Sequence, residues 1–286
     1  MFIEGLLALS GLVTILITVA IIWSLISESW GFFKEVPLWS FLTDSQWTPL
    51  FTQKHYGILP LLSGTFLTTF IAIIIAGPLG LVIAVYLSEY AHKKFRASIK
   101  PTLELLAAVP TVVYGFFALT VVTPFLKDIF PGVESFNALS AGIVMGIMII
   151  PFISSLSEDA LYAVPKSLRE ASYGMGATRF QTAFKVVVPA ASSGIIVSII
   201  LGIARAIGET MIVAIAAGQQ PILTLDPRKG VETVTAYIVQ VSLGDVPHGS
   251  LEYQTIFAAG ITLFALTFLL NSLGYRIKKN YEKKYA

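Results

Sequence analysis

Six apolar runs, each about as long as a bilayer's hydrocarbon core is thick, constrain what this chain can fold into. A core of about 30 Å needs roughly 20 apolar residues in helical form. Runs of that size fall near 6–27, 61–87, 103–126, 138–157, 193–217 and 255–275. In lipid every backbone amide and carbonyl must be bonded within the protein, so these runs predict helices. Pro78, Pro110 and Pro151 lie inside or near them, where neighbouring helices or water satisfy the freed carbonyls. The expected fold class is therefore an all-α integral membrane protein with six transmembrane helices. Composition agrees, with 55% hydrophobic and 13% charged residues, against about 25% charged in soluble domains.

Several function classes drop out early. Without cysteine there is no disulfide, thiolate nucleophile or cysteine metal site. The three histidines are scattered, and no carboxylate cluster or nucleophile–base set stands out. No G-x-x-x-x-G-K-[ST] phosphate cradle is present, so the chain is not expected to hydrolyse ATP. The net charge of +2 gives no sign of a nucleic-acid partner. The first run has no basic residue before it and no small-residue cleavage pattern after it. It reads as a retained anchor, with a cleaved signal as the alternative.

Lys and Arg give the direction. Thirteen of the nineteen lie in 88–102, 158–192 and the tail 276–286. Basic loops stay cytoplasmic, so both termini should be inside, and 28–60 and 218–254 should face outward. The 28–60 segment carries Trp30, Phe32, Phe33, Trp39, Phe41, Trp47 and Phe51. An interfacial aromatic belt explains several of these; docking of an external partner is the sharper reading. The segment is either a lateral amphipathic helix or an ordered loop.

Between runs four and five lies VPKSLREASYGMGATRFQTAFKVVVPAA. Pro165 suits the start of a helix. Leu168, Ala171, Ser172 and Met175 then form a short, weakly apolar face, and Gly174 and Gly176 end it. A second short helix is expected from 177 to 185, with Pro189 at the turn toward run five. One reading is an ordinary interfacial helix. The other is a helix shaped to fit a cytoplasmic partner, with small residues at Ala171 and Gly176 allowing close approach and Glu170 or Arg179 setting register.

Run five poses the sharpest question, because Arg205 and Glu209 sit inside it. An Arg at mid-membrane costs about 2.5–3.5 kcal/mol on insertion scales, so these side chains are expected to face protein or water. Gly194, Ser198, Gly202, Arg205 and Glu209 fall on one helical stripe. Such a stripe suits close helix packing or the wall of a solvated path. An Arg205–Glu209 salt bridge is one explanation of the charges. The other is that Arg205 offers its planar donor fork to a tetrahedral oxyanion, with Glu209 positioning and screening it. Ser198 and Thr210 join that expected path.

Two stretches carry a family resemblance. Glu170-Ala171-Ser172, then Gly176, then nine residues, then Val186-Val187-Val188-Pro189 resembles the coupling-loop pattern of bacterial ABC importer permeases. Ser172 stands for the pattern's second Ala, and Val for its Ile and Leu. ARAIGETM, with the outer FFKEVPLWSFLTDSQWTPL, resembles the phosphate-importer branch of that family. The resemblance covers nearly the whole chain. It implies a type-I ABC importer permease fold over 61–275, preceded by a helix and outer segment (1–60) and followed by a basic cytoplasmic tail (276–286). It implies ATPase coupling through Glu170, Ala171, Ser172, Gly176, Arg179 and Pro189, and substrate passage past Arg205 and Glu209. It implies a homologous second permease, two ATP-binding subunits that hold ATP and Mg, and an extracytoplasmic phosphate-binding protein. No cofactor is expected in this chain. The site would be the bacterial cytoplasmic membrane. A permease for molybdate or sulfate, an ion-gradient-driven carrier and a subunit reporting phosphate status remain as alternatives.

Overall fold

The computed structural model describes residues 2–285, with side chains for 3–279. Lys283 and Lys284 of the basic tail have side chains outside that range. Among the described residues the structure is helical, with only two isolated bridges between extended residues. Five helices are long and apolar enough to cross a membrane, and a bent pair makes a sixth.

The chain opens with α1 (Phe2–Glu35) and a short α2 (Leu38–Thr43). A continuous α3 (Leu59–Tyr90) follows, ending in a π-helical turn from Tyr86 to Tyr90. Next come α4 (Lys93–Ala107), α5 (Thr111–Ile129) and α6 (Ala138–Tyr162). After them lie α7 (Lys166–Gly174), α8 (Arg179–Ala190) and α9 (Ser192–Ile207). The chain closes with α10 (Met211–Ala216), α11 (Val234–Leu243) and α12 (Leu251–Tyr285).

Helices α3 and α6 share the most extensive seam, and α9 packs on both. The main core forms there from Ala72, Ala76, Met145, Met148, Ile149 and Ile153 together with Ile212 and Val213 of α10. Helix α1 packs chiefly on α12, with Gly31 against Gln254 and Gly260 against Leu25, so the two run antiparallel. The lipid-length part of α1 is exposed along its whole apolar surface, as a helix whose solvent is hydrocarbon should be.

Three sequence expectations are corrected. The third span starts at Thr111, not at 103. The tetrad of basic residues at 93–100 and the apolar residues after it wind into one amphipathic helix, α4, which ends before the Val109–Pro110 turn. Proline disfavours helical backbone at the residue before it, so one run becomes two elements. Span five is not one helix from 193 to 217. It stops at Ile207, breaks over 208–210 and restarts at Met211. The 218–254 segment is not merely a loop either. It carries α11, whose Val234, Tyr237 and Val241 are buried in the bundle. At about 15 Å, ten helical residues are too short to span the bilayer.

The aromatic residues of the 28–60 segment divide by role. Phe32, Phe41 and Trp47 are buried with Tyr237 in a second core, linked edge to face from Phe32 to Phe41 to Trp47 to Tyr237. Trp30, Trp39 and Phe51 are exposed. The 28–60 segment is thus an ordered cap holding one short helix, tied by the Trp47–Tyr56 bridge.

Candidate functional site

Helix α9 carries Arg205 in its last turn. Counting from Ser192, that lies about 20 Å along the helix axis. The side chain is exposed on this chain's surface, with its guanidinium 5.8 Å from the Phe152 ring centroid. Among the described residues no carboxylate lies within ion-pair distance of it. The salt bridge with Glu209 is not formed, because the helix breaks between the two residues.

The break explains what Glu209 does instead. Gly208 ends α9, and Glu209 is 8% exposed. Its Oε1 accepts from the amides of Met211 and Ile212 at 3.1 and 3.3 Å. Those donors would otherwise be orphaned at the restart of the helix. The Glu209 carbonyl accepts from the Thr235 hydroxyl at 2.6 Å, and the Val234 amide donates to the Thr65 hydroxyl at 3.1 Å. These bonds stitch the break to α11 and α3. Irregular backbone at membrane depth survives only where protein or water satisfies it. Thr210 is half-buried, its hydroxyl turned onto the Gly208 carbonyl at 3.3 Å.

The rest of the stripe has another purpose. Ser198 is 1% exposed, and its hydroxyl pairs with Ser157 at 2.6 Å and with the Ile195 carbonyl at 2.8 Å. A side chain added at Gly202 would meet Ile153 at 2.9 Å, and one at Gly194 would collide with Ala160. Gly194, Ser198 and Gly202 are therefore the face on which α9 packs against α6. Ser198, expected to line a path, is in this conformation sealed between two helices.

The 165–189 segment forms a helical hairpin. Pro165 precedes α7, and Gly176 takes φ +81°, a backbone geometry that only glycine adopts freely. Thr178 and Gln181 form a reciprocal capping box at the start of α8. The second helix runs on to Ala190 instead of ending at 185, so Pro189 lies inside it, just before a 70° bend into α9. Ser172 is half-buried and pairs with the Thr182 hydroxyl at 2.9 Å, closing the hairpin. Glu170, Ala171, Gly176, Arg179 and Pro189 are exposed on the hairpin's surface, with Met175 and Phe180 beside them. Arg179 lies over the Tyr90 ring at 5.5 Å.

Sequence reasoning missed two ionic nodes beneath this surface. Glu158 of α6, 1% exposed, is held by Arg96 and by Lys100 at 3.0 Å, both from α4. Glu89, at the end of α3, is paired with Arg169 of α7 at 3.0 Å. The sequence did hold a signal: Glu89 and Glu158 each sit at the end of an apolar run, next to a basic segment.

In the segment before α11, Glu232 is 2% exposed, and among the described residues its Oε1 has no hydrogen-bond partner. Burial pushes its carboxyl up to about 8. Asp226 moves the opposite way, to about 2, because Arg228 bonds it through its side chain and backbone amide.

Comparison with known proteins agrees with this architecture. The model of the binding-protein-dependent transport system inner membrane component family matches residues 76–285. A probable ABC transporter permease protein, YqgH of Bacillus subtilis, is 39% identical over 80% of this chain and 74% of its own length. The phosphate transport system permease protein PstC of Mesorhizobium japonicum is 35% identical over 86% of this chain and 80% of its own. The PstC protein of Pasteurella multocida is 32% identical over 94% and 88%. Among solved structures, a bacterial alginate ABC transporter chain superposes with TM-score 0.60 at 17% identity, covering 93% of this chain and 96% of its own. A chain of the inward-facing MetNI methionine transporter gives 0.56 at 22%, covering 79% and 94%. The fold is that of type-I ABC importer permeases. With the family's pattern running through most of its length, this chain belongs to the binding-protein-dependent transport system inner membrane components.

Proposed function

We propose that the chain is the permease subunit of an ATP-driven importer of inorganic phosphate in the bacterial cytoplasmic membrane, with both termini cytoplasmic. One observation carries this reading. Arg205 stands at membrane depth, exposed on this chain and, among the described residues, without a carboxylate partner. A guanidinium facing lipid there would be costly. Facing a second permease across a hydrated path, it becomes a bidentate site for an oxyanion. Glu209 stays close in sequence but spends its charge on the amides of α10, so Arg205 is available to an anion. Relatives at 32–35% identity that bear the name phosphate transport permease support phosphate as that anion.

The partners follow from the hairpin and from what the chain lacks. A homologous permease closes the path. Two separate subunits bind ATP and Mg and dock on the surface of Glu170, Ala171, Gly176 and Arg179. An extracytoplasmic binding protein delivers phosphate to the outer cap. Closure of the ATPases draws the hairpins together, the spans rock to face outward, phosphate enters past Arg205, and hydrolysis resets the pump.

The test is co-purification from membranes followed by uptake in proteoliposomes. ATP-binding subunits should co-purify, and ATP-driven phosphate uptake should resist excess molybdate or sulfate. Arg205→Ala should leave the complex assembled and cut uptake about ten- to a hundredfold, the range for one lost charged hydrogen bond. Full uptake by that variant, or uptake without any ATPase, refutes the reading.

A further inference from the structure

Helix α7 poses a mechanical problem. It carries the hairpin's outer surface, yet none of its nine residues is buried. Apolar packing alone cannot make it move as one piece with the spans. Arg169 supplies a tie. Its Nη2 donates to Glu89 Oε1 at 3.0 Å and to the Leu161 carbonyl at 2.8 Å. Its Nη1 donates to the Val164 carbonyl, and its Nε reaches Glu89 Oε2 at 3.4 Å. One planar guanidinium thus joins three elements: the hairpin helix, the carbonyl end of α6 and the π-helical end of α3. A lysine lacks the planar fork that makes this possible. Both partners are largely shielded, Glu89 at 5% and Arg169 at 16% side-chain exposure, so water screens the pair little.

Position adds to geometry. Arg169 is the neighbour of Glu170, but Glu170 points out of the molecule and Arg169 points in. Glu89 and Leu161 belong to the α3–α6 pair, the most extensively packed pair of helices among the described residues, and Val164 follows two residues after α6. π-Helical turns often mark functional positions in helices, and here the turn brings Glu89 under the hairpin.

We infer that Arg169 is a positioning residue that transmits displacement of the hairpin to the α3–α6 pair through Glu89 and the α6 carbonyls, so that ATPase closure moves the spans. This rests on the reading of the hairpin as an ATPase coupling surface. When the strut is weakened, the hairpin moves without the spans and ATP is hydrolysed with less transport.

The experiment measures phosphate taken up per ATP hydrolysed, in proteoliposomes holding the full complex. Two variants are compared with the unaltered chain. Arg169→Lys keeps the charge and loses the fork. The double variant Glu89→Gln with Arg169→Gln removes both charges, so neither is left buried alone. Each should retain its ATPase subunits and lose about tenfold in uptake per ATP, within the usual range of coupling free energies. A merely structural role would lower uptake and hydrolysis in parallel, with the ratio unchanged. That result, an unchanged ratio at full activity, or failure of both variants to assemble overturns the inference. If Arg169→Lys alone fails to assemble, the neutral pair decides. Absence of ATP-driven uptake in the unaltered complex instead removes the coupling reading itself, and the strut falls with it.

Discussion

Three buried or partly sheltered carboxylates show how strongly surroundings decide what a side chain does. Glu209 is satisfied by two amides, Glu89 by a guanidinium, and Glu232 has an oxygen with no partner. Burial pushes the proton affinity of Glu232 up, to about 8 from 4.5. Burial without a donor disfavours the charged form. The folded chain then holds this proton more tightly than the unfolded chain does. Its contribution to stability is fully present below about pH 4.5 and is lost as pH rises through about 8. Thermal unfolding in detergent should show a midpoint that falls between pH 5 and about 8.5. Glu232→Gln, which cannot ionise, should flatten that fall; an identical slope in both proteins would disprove the assignment.

At the level of elements, the break in span five matters most. A run of 25 residues splits into α9 and α10 because Gly208 weakens helix propagation and Glu209 rewards the restart with two hydrogen bonds. The same helix devotes its small-residue face to α6, and this seam sets where Arg205 stands. Gly202→Leu should therefore force α9 away from Ile153. Overpacking of this kind costs about 1–3 kcal/mol, visible as a lower unfolding midpoint. Substrate handling should suffer as well, since Arg205 lies less than one turn further along. Unchanged stability would mean the two helices do not meet at this glycine.

For the whole molecule, the open question is which of its exposed membrane-depth surfaces meets water. The chain has no cysteine, so single cysteines report cleanly. Thiols react as thiolates, which form in water and not in hydrocarbon. In the assembled transporter, Arg205→Cys should react with a charged, membrane-impermeant thiol reagent. Phe268→Cys, on the exposed apolar side of α12, and Ser198→Cys, sealed against α6, should not. Equal reactivity at 205 and 268 would put Arg205 on the lipid face and remove the proposed path.

Much of this was legible from one dimension. Apolar run length reports on bilayer thickness directly, so six membrane-crossing units, counting the bent pair as one, could be read before any contact was known. Local chemistry was legible too: the hairpin's Pro165, Gly176 and Pro189 mark bends because backbone geometry at such residues is a short-range property. What escaped depends on which distant residues meet. Whether a polar stripe is a seam or a channel wall turns on whether Ala160, Ser157 and Ile153 of another helix are pressed against it. Whether Glu209 pairs with Arg205 or with an amide turns on a break that α11 and α3 stabilise from far along the chain. Hydropathy is summed along a segment and survives without neighbours; the partner of a buried polar atom is set by the three-dimensional packing that surrounds it.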